Sequence, residues 1–288
     1  MSNSKTFLFT QPIFAIVDKK ERYLIIWTVV LVILIIWFSI RPSNDRNWSP
    51  DQKVLSYVGF NGSLVDIYNI RNNTYRSTSD FDVHHYNKTF DLDKIKKVYY
   101  VVEPFTGIKG SAHTFFTFEF EDNEFVAISV EIRKEVGEAF SGTKGLFKQY
   151  EIMYVIGDEM DLIKLRTNYR KDKVYLYPVK AAPEMVRMLF VDMLIRVNEL
   201  YSSPEFYNTL TNTCTINQMN LVNEIYPGTI PFNYKILLPE YSDTLAYQLG
   251  LIDTNLTFEH AREKFKINDG ADACGDCADF SLAIREQQ

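Results

Sequence analysis

One cysteine of the chain stands where a folded protein can place a reactive thiol. Cys214 follows the polar run "FYNTLTNT", and the residues after it, "TINQMNLVNEI", have helical spacing. The N–H groups that begin a helix have no partner within it, and together with the helix dipole they stabilise a thiolate. Asn212 or Thr213 is the natural N-cap. The position predicts a nucleophile, although the same pattern also serves as an ordinary helix start.

The other two cysteines, Cys274 and Cys277, form the motif "CGDC" near the end of the chain. Such a pair closes a disulfide, binds a metal with partners elsewhere, or works as a redox dithiol. The motif lies in an acidic stretch and follows no strand of a βαβ unit, so we favour an incidental or disulfide-linked segment. Cys214 is then left without a partner, and an odd cysteine in an exported protein is a candidate reactive thiol.

Four histidines are candidates for the base that would deprotonate this thiol. His84 and His85 lie in a polar stretch and His260 on the outer face of a late helix, so we expect them at the surface. His113 instead begins the aromatic run "HTFFTFEF". It fits either a polar group within the core or a catalytic base, and its combination with an unpaired Cys214 favours a Cys–His pair.

A third residue is needed to orient the imidazole. The run 124–133 predicts the hairpin partner of 111–120 and offers Ser129 and Glu131. A three-residue loop would pair His113 with Glu131, whereas a loop of two or four residues would turn Glu131 to the other face. Glu151 is the alternative carboxylate, and the sequence leaves both open.

The same carboxylates also fit a purely structural role. Glu131 and Glu151 could each form a buried ion pair with Arg133 or Arg166. One cysteine and one histidine are too few to hold a metal ion, which needs a cluster of ligands. We therefore predict no metal and no cofactor.

Alternating and apolar runs predict the sheet that positions these residues. We expect strands at 63–70, 96–105, 111–120, 124–133, 150–157 and 173–179. Residues 158–170 and 182–203 have helical spacing, and a further helix begins near Cys214. This layout predicts an α+β fold, in which helices pack against an antiparallel sheet.

An apolar segment near the N-terminus predicts a membrane anchor. Residues 23–40 carry no charge over 18 positions, which is enough to span a bilayer core. Basic residues before it point the N-terminus to the cytoplasm, although Arg41 and Arg46 follow it. A cleaved signal peptide is the rival interpretation, but the segment is too long and no small-residue cleavage site follows. We predict a single-pass protein of the bacterial cytoplasmic (inner) membrane with its domain in the periplasm.

The chain then divides into five segments, and its charge argues against nucleic acid as a partner. The formal charge is −6, and no basic stripe lies outside the extreme N-terminal region. We predict a cytoplasmic leader (1–22), the anchor (23–40), a polar linker (41–55), the folded domain (56–265) and an acidic C-terminal tail (266–288).

Three ordered stretches carry a family resemblance. "AHTFFTFEFEDNEFVAISVEIRKEVGEAFS", "GLFKQYEIMYVIGDEMDLIKLRTNYR" and "FYNTLTNTCTIN" resemble the Lnb N-terminal periplasmic domain family, named after a bacterial lipoprotein N-acyltransferase. The likeness runs from about "NDRNWSPD" to "FSLAIRE". The family is similar to circularly permuted papain/NlpC-like thiol enzymes, in which the histidine precedes the cysteine, as His113 precedes Cys214 here.

The resemblance implies roles for particular residues. Cys214 and His113 match the family cysteine and histidine, and Glu131 and Arg133 match its "S-x-E-x-R" motif. Where the family often has Asn directly before the cysteine, this chain has Thr213, with Asn212 one position earlier. Other motif positions are occupied by Glu138, Gln149, Tyr150, Glu151, Glu159, Arg166, Tyr207 and Asn208.

The resemblance implies a membrane-anchored thiol acyltransferase. Cys214 would take an acyl group from a membrane phospholipid as a thioester and pass it to a lipoprotein or peptide amine. The papain-like relatives imply a second possibility, a cysteine peptidase or amidase of the cell wall. A non-catalytic exported binding domain is the third. An apolar, membrane-facing groove would favour acyl transfer, and a polar, open groove would favour a peptide.

Overall fold

The computed structural model describes residues 18–286, and the chain divides after Arg41 into an N-terminal unit and a body. The N-terminal unit contains helix α1 (Lys19–Ser39), which begins with a capping box between Asp18 and Glu21. Within residues 18–286 it is the one helix long and apolar enough to cross a membrane, with a mean hydropathy of 2.2. Most of the predicted leader, residues 1–17, lies outside the described residues, and the predicted domain boundaries stay predictions.

The body is built on an eight-stranded sheet with a separate two-stranded ribbon. The sheet has the order β1-β2-β9-β8-β7-β6-β10, and its eighth strand, β5, also pairs with β2. Strands β3 and β4 form the ribbon. The strands are β1 (Tyr57–Asn61), β2 (Leu64–Arg71), β3 (Thr74–Tyr75), β4 (Phe81–Asp82), β5 (His85–Asp91), β6 (Ile95–Pro104), β7 (Ala112–Phe120), β8 (Phe125–Arg133), β9 (Glu151–Gly157) and β10 (Tyr175–Pro178).

Helices cover both faces of this sheet, and the predicted α+β class is confirmed. The helices of the body are α2 (Glu159–Lys164), α3 (Pro183–Ser202), α4 (Cys214–Ile225), α5 (Tyr234–Leu237), α6 (Ser242–Gln248), α7 (Phe258–Lys264), α8 (Asn268–Cys274) and α9 (Phe280–Ala283). A π-helical turn, Leu165–Tyr169, continues α2. The sheet is mixed rather than wholly antiparallel, because β9 lies beside β2 in parallel through Arg71 and Gly157.

The β7–β8 hairpin has the three-residue loop that the sequence left open. Asp122 and Asn123 adopt left-handed φ angles of 59° and 58°, which short polar side chains tolerate. The register pairs Glu119 with Phe125 and runs to Phe115 with Ser129. Continued by two positions, the same register sets Glu131 opposite His113.

Both faces of β7 are buried, which explains its nearly uninterrupted apolar sequence. Phe116, Phe118 and Phe120 point into the core beneath α3, where Phe190 packs against the last two rings at 4.8 and 5.3 Å between centroids. Phe115 points to the opposite face and belongs to a second core that includes residues of α2, α8 and α9.

The segments predicted as linker and tail pack onto the body. Trp48 is buried beneath the Arg133 guanidinium, 4.2 Å from the ring centroid. At the other end, Phe280 and Ile284 complete the second core, and Cys274 and Cys277 are joined in a disulfide. The polar composition of these segments hid the few apolar residues that anchor them.

The aromatic cluster at α3 yields a stability prediction. Phe190 is fully buried and also contacts Phe90, with ring centroids 6.4 Å apart. We expect Phe190→Ala to lower the free energy of unfolding by about 3–5 kcal/mol, because the lost burial adds to the cavity left behind. Chemical denaturation of the full chain in detergent measures the change. Phe60→Ala, at an exposed edge position of β1, is the matched control and should change stability little.

Candidate functional site

The start of β7 and the start of α4 meet at one end of the sheet. His113 is the second residue of β7, and Cys214 is the first residue of α4. Hydrogen bonds between Thr114 and Gln218 join the elements: Gln218 Nε2 donates to the carbonyl oxygen of Thr114 at 2.7 Å, and Thr114 Oγ1 donates to Gln218 Oε1 at 2.9 Å. These bonds hold the cysteine beside the histidine.

The Cys214 thiol is half-buried and is the free cysteine of the chain. The N-cap is Thr213, whose Oγ1 accepts from the N–H of Ile216 at 3.2 Å. Thr114 Oγ1 lies 3.6 Å from Cys214 Sγ, and Thr215 Oγ1 lies 3.7 Å from it. The N–H groups of Cys214 and Thr215 lie in the first turn, where a helix supplies no acceptor, so they are suited to hold an oxyanion.

The His113 imidazole is held by a serine and a carboxylate on the neighbouring strand. Its Nε2 lies 2.7 Å from Ser129 Oγ and 3.2 Å from Glu131 Oε1. Ser129 donates its own proton to Glu131 at 2.8 Å, so it accepts the Nε2 proton of His113. With Nε2 engaged in this way, Nδ1 is the ring nitrogen left for the thiol.

The carboxylate of Glu131 is the middle of a longer row of alternating charges. Arg166, on the π-helical turn, donates to Glu131 at 2.8 Å and to the buried Glu103 at 2.6 Å. Arg170 pairs with Glu103 at 3.3 Å from the solvent side. A buried charge without a partner is strongly destabilising, so each member of the row depends on its neighbours.

These contacts set the protonation of the Cys–His pair. Burial raises the pKa of Cys214, but the hydrogen bond and positive charge of His113 outweigh it and lower the pKa to about 7. Burial lowers the pKa of His113, but the charge of Glu131 and the hydrogen bond with Cys214 raise the pKa to about 9. Between these two values the pair is a thiolate and an imidazolium.

Glu131 remains ionised throughout this range. Burial raises its pKa, but the charges of His113 and Arg166 hold the pKa well below its ordinary value. It therefore keeps the negative charge that the imidazolium needs.

Glu151 and Arg133, two of the residues predicted from the sequence, do not contact the Cys–His pair. They bind the N-terminal segment of the body. Glu151 Oε1 accepts from Arg46 at 2.8 Å and from the N–H of Ser43 at 3.1 Å. Arg133 donates to the carbonyl oxygens of Gln52 and Lys53 at 3.0 and 2.9 Å. The structure thus brings Glu131, and not Glu151, to the imidazole.

Tyr207 and Asn212 shape the loop that leads into α4. Burial and the nearby Cys214 raise the pKa of Tyr207, whose ring packs beside Gly145, where an added Cβ would meet it at 2.9 Å. The Asn212 side chain donates to the carbonyl oxygen of Phe206 at 2.9 Å and accepts from Asn217 at 2.7 Å. Both amide ends are used to close the loop, which leaves the capping role to Thr213.

Several residues of the site were missed from the sequence. Glu103 is opposite His113 on β6, and its signal was a lone carboxylate inside the apolar run "YYVVEPF". A buried acid of this kind requires a cation, which Arg166 supplies. Thr114 and Gln218 gave no signal, because their contact joins residues 104 positions apart. His84 and His260 are exposed as expected, whereas His85, also expected at the surface, lies half-buried in β5.

Two pockets flank helix α4 below the cysteine. An apolar pocket with a cavity volume of about 120 Å³ lies between α3, α4 and residues 229–252; its lining includes Phe116, Leu189, Met219, Val222, Leu245 and Ile252. A polar pocket with a cavity volume of about 340 Å³ lies between α3 and α4 on the other flank; its lining includes Asp192, Arg196, Glu199, Asn212, Asn217 and Glu224. Within residues 18–286, no group of three or more His, Cys, Asp or Glu side chains is arranged to hold a metal ion.

The chain matches one known family. The family model of the Lnb N-terminal periplasmic domain covers residues 82–240, which is more than half of the chain and includes both His113 and Cys214. No curated protein and no solved structure matches the chain.

The pairing of Cys214 with His113 predicts the pH dependence of thiol alkylation. In the wild type we expect the rate with iodoacetamide to rise through about pH 7, where the thiolate forms. In His113→Gln no imidazolium offsets the effect of burial on the thiol. The midpoint of the rate profile should therefore move above the ordinary thiol pKa of about 8.5. The rate at pH 7 should fall at least roughly tenfold. An unchanged profile would contradict the pair.

The two glutamates give a matched comparison. Glu131→Gln removes the charge that sustains the imidazolium, so we expect the pKa of Cys214 to rise. Glu151→Gln removes a carboxylate that binds Arg46, and the alkylation profile should stay as in the wild type. Equal effects of the two substitutions would mean that Glu131 does not act on the Cys–His pair.

Proposed function

We propose a function from the premise that this chain belongs to the Lnb N-terminal periplasmic domain family. The chain is a membrane-anchored periplasmic thiol acyltransferase, similar to a lipoprotein N-acyltransferase, and it works through a thioester on Cys214. Its acyl donor is a membrane phospholipid, and its acceptor is a lipoprotein or peptide amine. It acts at the bacterial cytoplasmic membrane.

One observation carries this proposal, namely the Cys214 thiol paired with a His113 that Ser129 and Glu131 hold from the neighbouring strand. A thiol with a pKa near ambient pH attacks well, because it is largely ionised and still intrinsically nucleophilic. An imidazole oriented by a third group is the arrangement of Cys–His nucleophilic enzymes.

In the first step, Cys214 Sγ attacks the ester carbonyl carbon of the lipid. The C–S bond forms and the ester C–O bond breaks, and the leaving lysolipid oxygen takes the proton of the His113 imidazolium. The N–H groups of Cys214 and Thr215 stabilise the negative oxygen of the tetrahedral intermediate. The products are a thioester, a lysolipid and a neutral imidazole.

In the second step, the acceptor amine attacks the thioester carbon. The C–N bond forms, the C–S bond breaks, and the amine gives a proton to His113. The thiolate and the imidazolium are thereby restored, so the cycle closes without a cofactor. Water in place of the amine would turn the same steps into hydrolysis.

Helix α1 and the two pockets support a lipid donor and an amine acceptor. The apolar helix in the same chain supports a substrate at a membrane. The apolar pocket suits an acyl chain better than a peptide, because it offers little to satisfy a peptide backbone. The carboxylates of the polar pocket suit a cationic or strongly hydrogen-bonding group such as an amine.

Labelling in membranes tests the proposal. We expect the wild type, incubated with a phospholipid carrying a clickable acyl chain, to gain label that neutral hydroxylamine removes. Cys214→Ala should gain none, and His113→Gln should gain at least about tenfold less, because its thiol is mostly protonated at pH 7.

The peptidase alternative gives a different result in the same assay. The wild type would then take no acyl label, although Cys214 would still react with iodoacetamide near neutral pH. A Cys214 that neither acylates nor alkylates in the folded protein would leave a non-catalytic domain.

A further inference from the structure

We propose that the apolar pocket between α3, α4 and residues 229–252 binds the long acyl chain of a bilayer lipid and presents its carbonyl carbon to Cys214. The inference rests on the proposed function and deepens it by assigning the site that holds the donor. The pocket should then select donors by the length of their acyl chain.

One end of the pocket lies next to the thiol, although Cys214 itself does not line it. Thr215 and Gln218 line it, and both bind Thr114 Oγ1, at 3.2 and 2.9 Å. The same Thr114 oxygen lies 3.6 Å from Cys214 Sγ. The Thr114 hydroxyl therefore contacts both the polar end of the pocket and the Cys214 sulphur. An ester carbonyl bound at this end would lie close to the sulphur.

From this end the pocket follows helix α4. The α4 side chains that line it lie at positions 215, 218, 219, 222 and 225, the spacing of one helix face. From Thr215 to Ile225 the helix rises roughly 15 Å, which matches a long extended chain rather than a short acid. Leu189 of α3 and Leu245 of α6 contribute to the opposite walls. The lining therefore forms a slot along α4, and the Thr215 end of the slot is the one next to Cys214.

The neutral polar side chains of the lining are already hydrogen-bonded within the protein, and its one charged residue, Lys180, is exposed to solvent. Tyr100 Oη donates to Ser242 Oγ at 2.7 Å, and Ser242 Oγ donates to the carbonyl oxygen of Pro239 at 2.6 Å. Thr114 and Gln218 bond each other as described above. A peptide would bring backbone groups that need partners here, whereas methylene groups need none. The lining therefore favours an acyl chain over a peptide.

The outer wall of the pocket points to a bilayer as the source. Ile230 and Ile236 face the pocket, while their neighbours Phe232, Tyr234 and Leu238 expose their side chains to solvent. Large exposed apolar side chains clustered in a segment of seven residues are typical of a surface that meets lipid or another apolar partner. A lipid acyl chain that leaves a bilayer at this wall would enter the slot directly. This arrangement favours an intact lipid over a free fatty acid as the donor.

A filling substitution tests the pocket. Ala246 of α6 lines it, whereas Gln248 lies two residues further along α6, is exposed and is not part of the lining. We expect Ala246→Phe to lower the ratio of hexadecanoyl to butanoyl loading of Cys214 from phospholipid donors at least tenfold. Gln248→Phe should keep the wild-type ratio. Iodoacetamide alkylation of each variant reports that the folded thiol is intact.

The outcomes separate the two proposals. Loading of the wild type with both donors, at a ratio that Ala246→Phe leaves unchanged, would overturn the pocket and leave the acyltransferase standing. Absence of loading with either donor, in a protein that alkylates normally, would overturn the proposed function itself.

Photo-crosslinking gives an independent readout that needs no catalysis. The full-length Cys214→Ala protein is reconstituted into phosphatidylethanolamine vesicles that carry a photoreactive group at the end of one acyl chain. We expect crosslinks to the pocket lining, Met219 or Leu245 among them, and their loss in Cys214→Ala/Ala246→Phe. Crosslinks confined to α1 or the outer surface would overturn the pocket. Crosslinks to the lining from free photoreactive hexadecanoic acid, but none from the vesicles, would overturn the bilayer source.

Discussion

The site depends on a row of alternating charges that runs from the thiol into the body of the protein. The His113 imidazolium is buried and is stable only because Glu131 lies 3.2 Å from it. Glu131 in turn is held by Arg166, and Arg166 by Glu103. Removal of one member leaves its neighbour as an uncompensated charge in a poorly hydrated place. The half-buried thiol of Cys214 is the end of this row, so its pKa depends on residues that it does not contact directly.

The fold supplies the members of this row from five elements. Glu103, His113 and Glu131 lie on the adjacent strands β6, β7 and β8, and their alignment follows from the register of two antiparallel pairs. Arg166 reaches the sheet from a π-helical turn, a local widening of the helix that is frequent at functional sites. Helix α4 then brings Cys214 to the end of β7.

Part of this arrangement could be predicted from the sequence, and the physical reasons for the rest are specific. Cys214, His113 and Glu131 could be named as candidates because an unpaired thiol, an aromatic strand and a hairpin limit the choices. The loop length that selects Glu131 was open, since it depends on two residues with left-handed backbone angles. Glu151 and Arg133 belong to the same family motifs but bind residues 43–53, because their end of the sheet meets the N-terminal segment. Contacts across 100 residues, such as that of Thr114 with Gln218, leave no local pattern.

The central claim is that Cys214 and His113 form a thiolate–imidazolium pair at physiological pH. The most direct test is nitrogen NMR of the ring nitrogens of His113 in the full-length protein, from pH 6 to pH 10. We expect both ring nitrogens to carry a proton at pH 8 and to lose one only near pH 9. In Cys214→Ala the thiolate no longer stabilises the imidazolium, and the transition should move to lower pH. A His113 that is already neutral at pH 7 would contradict the account.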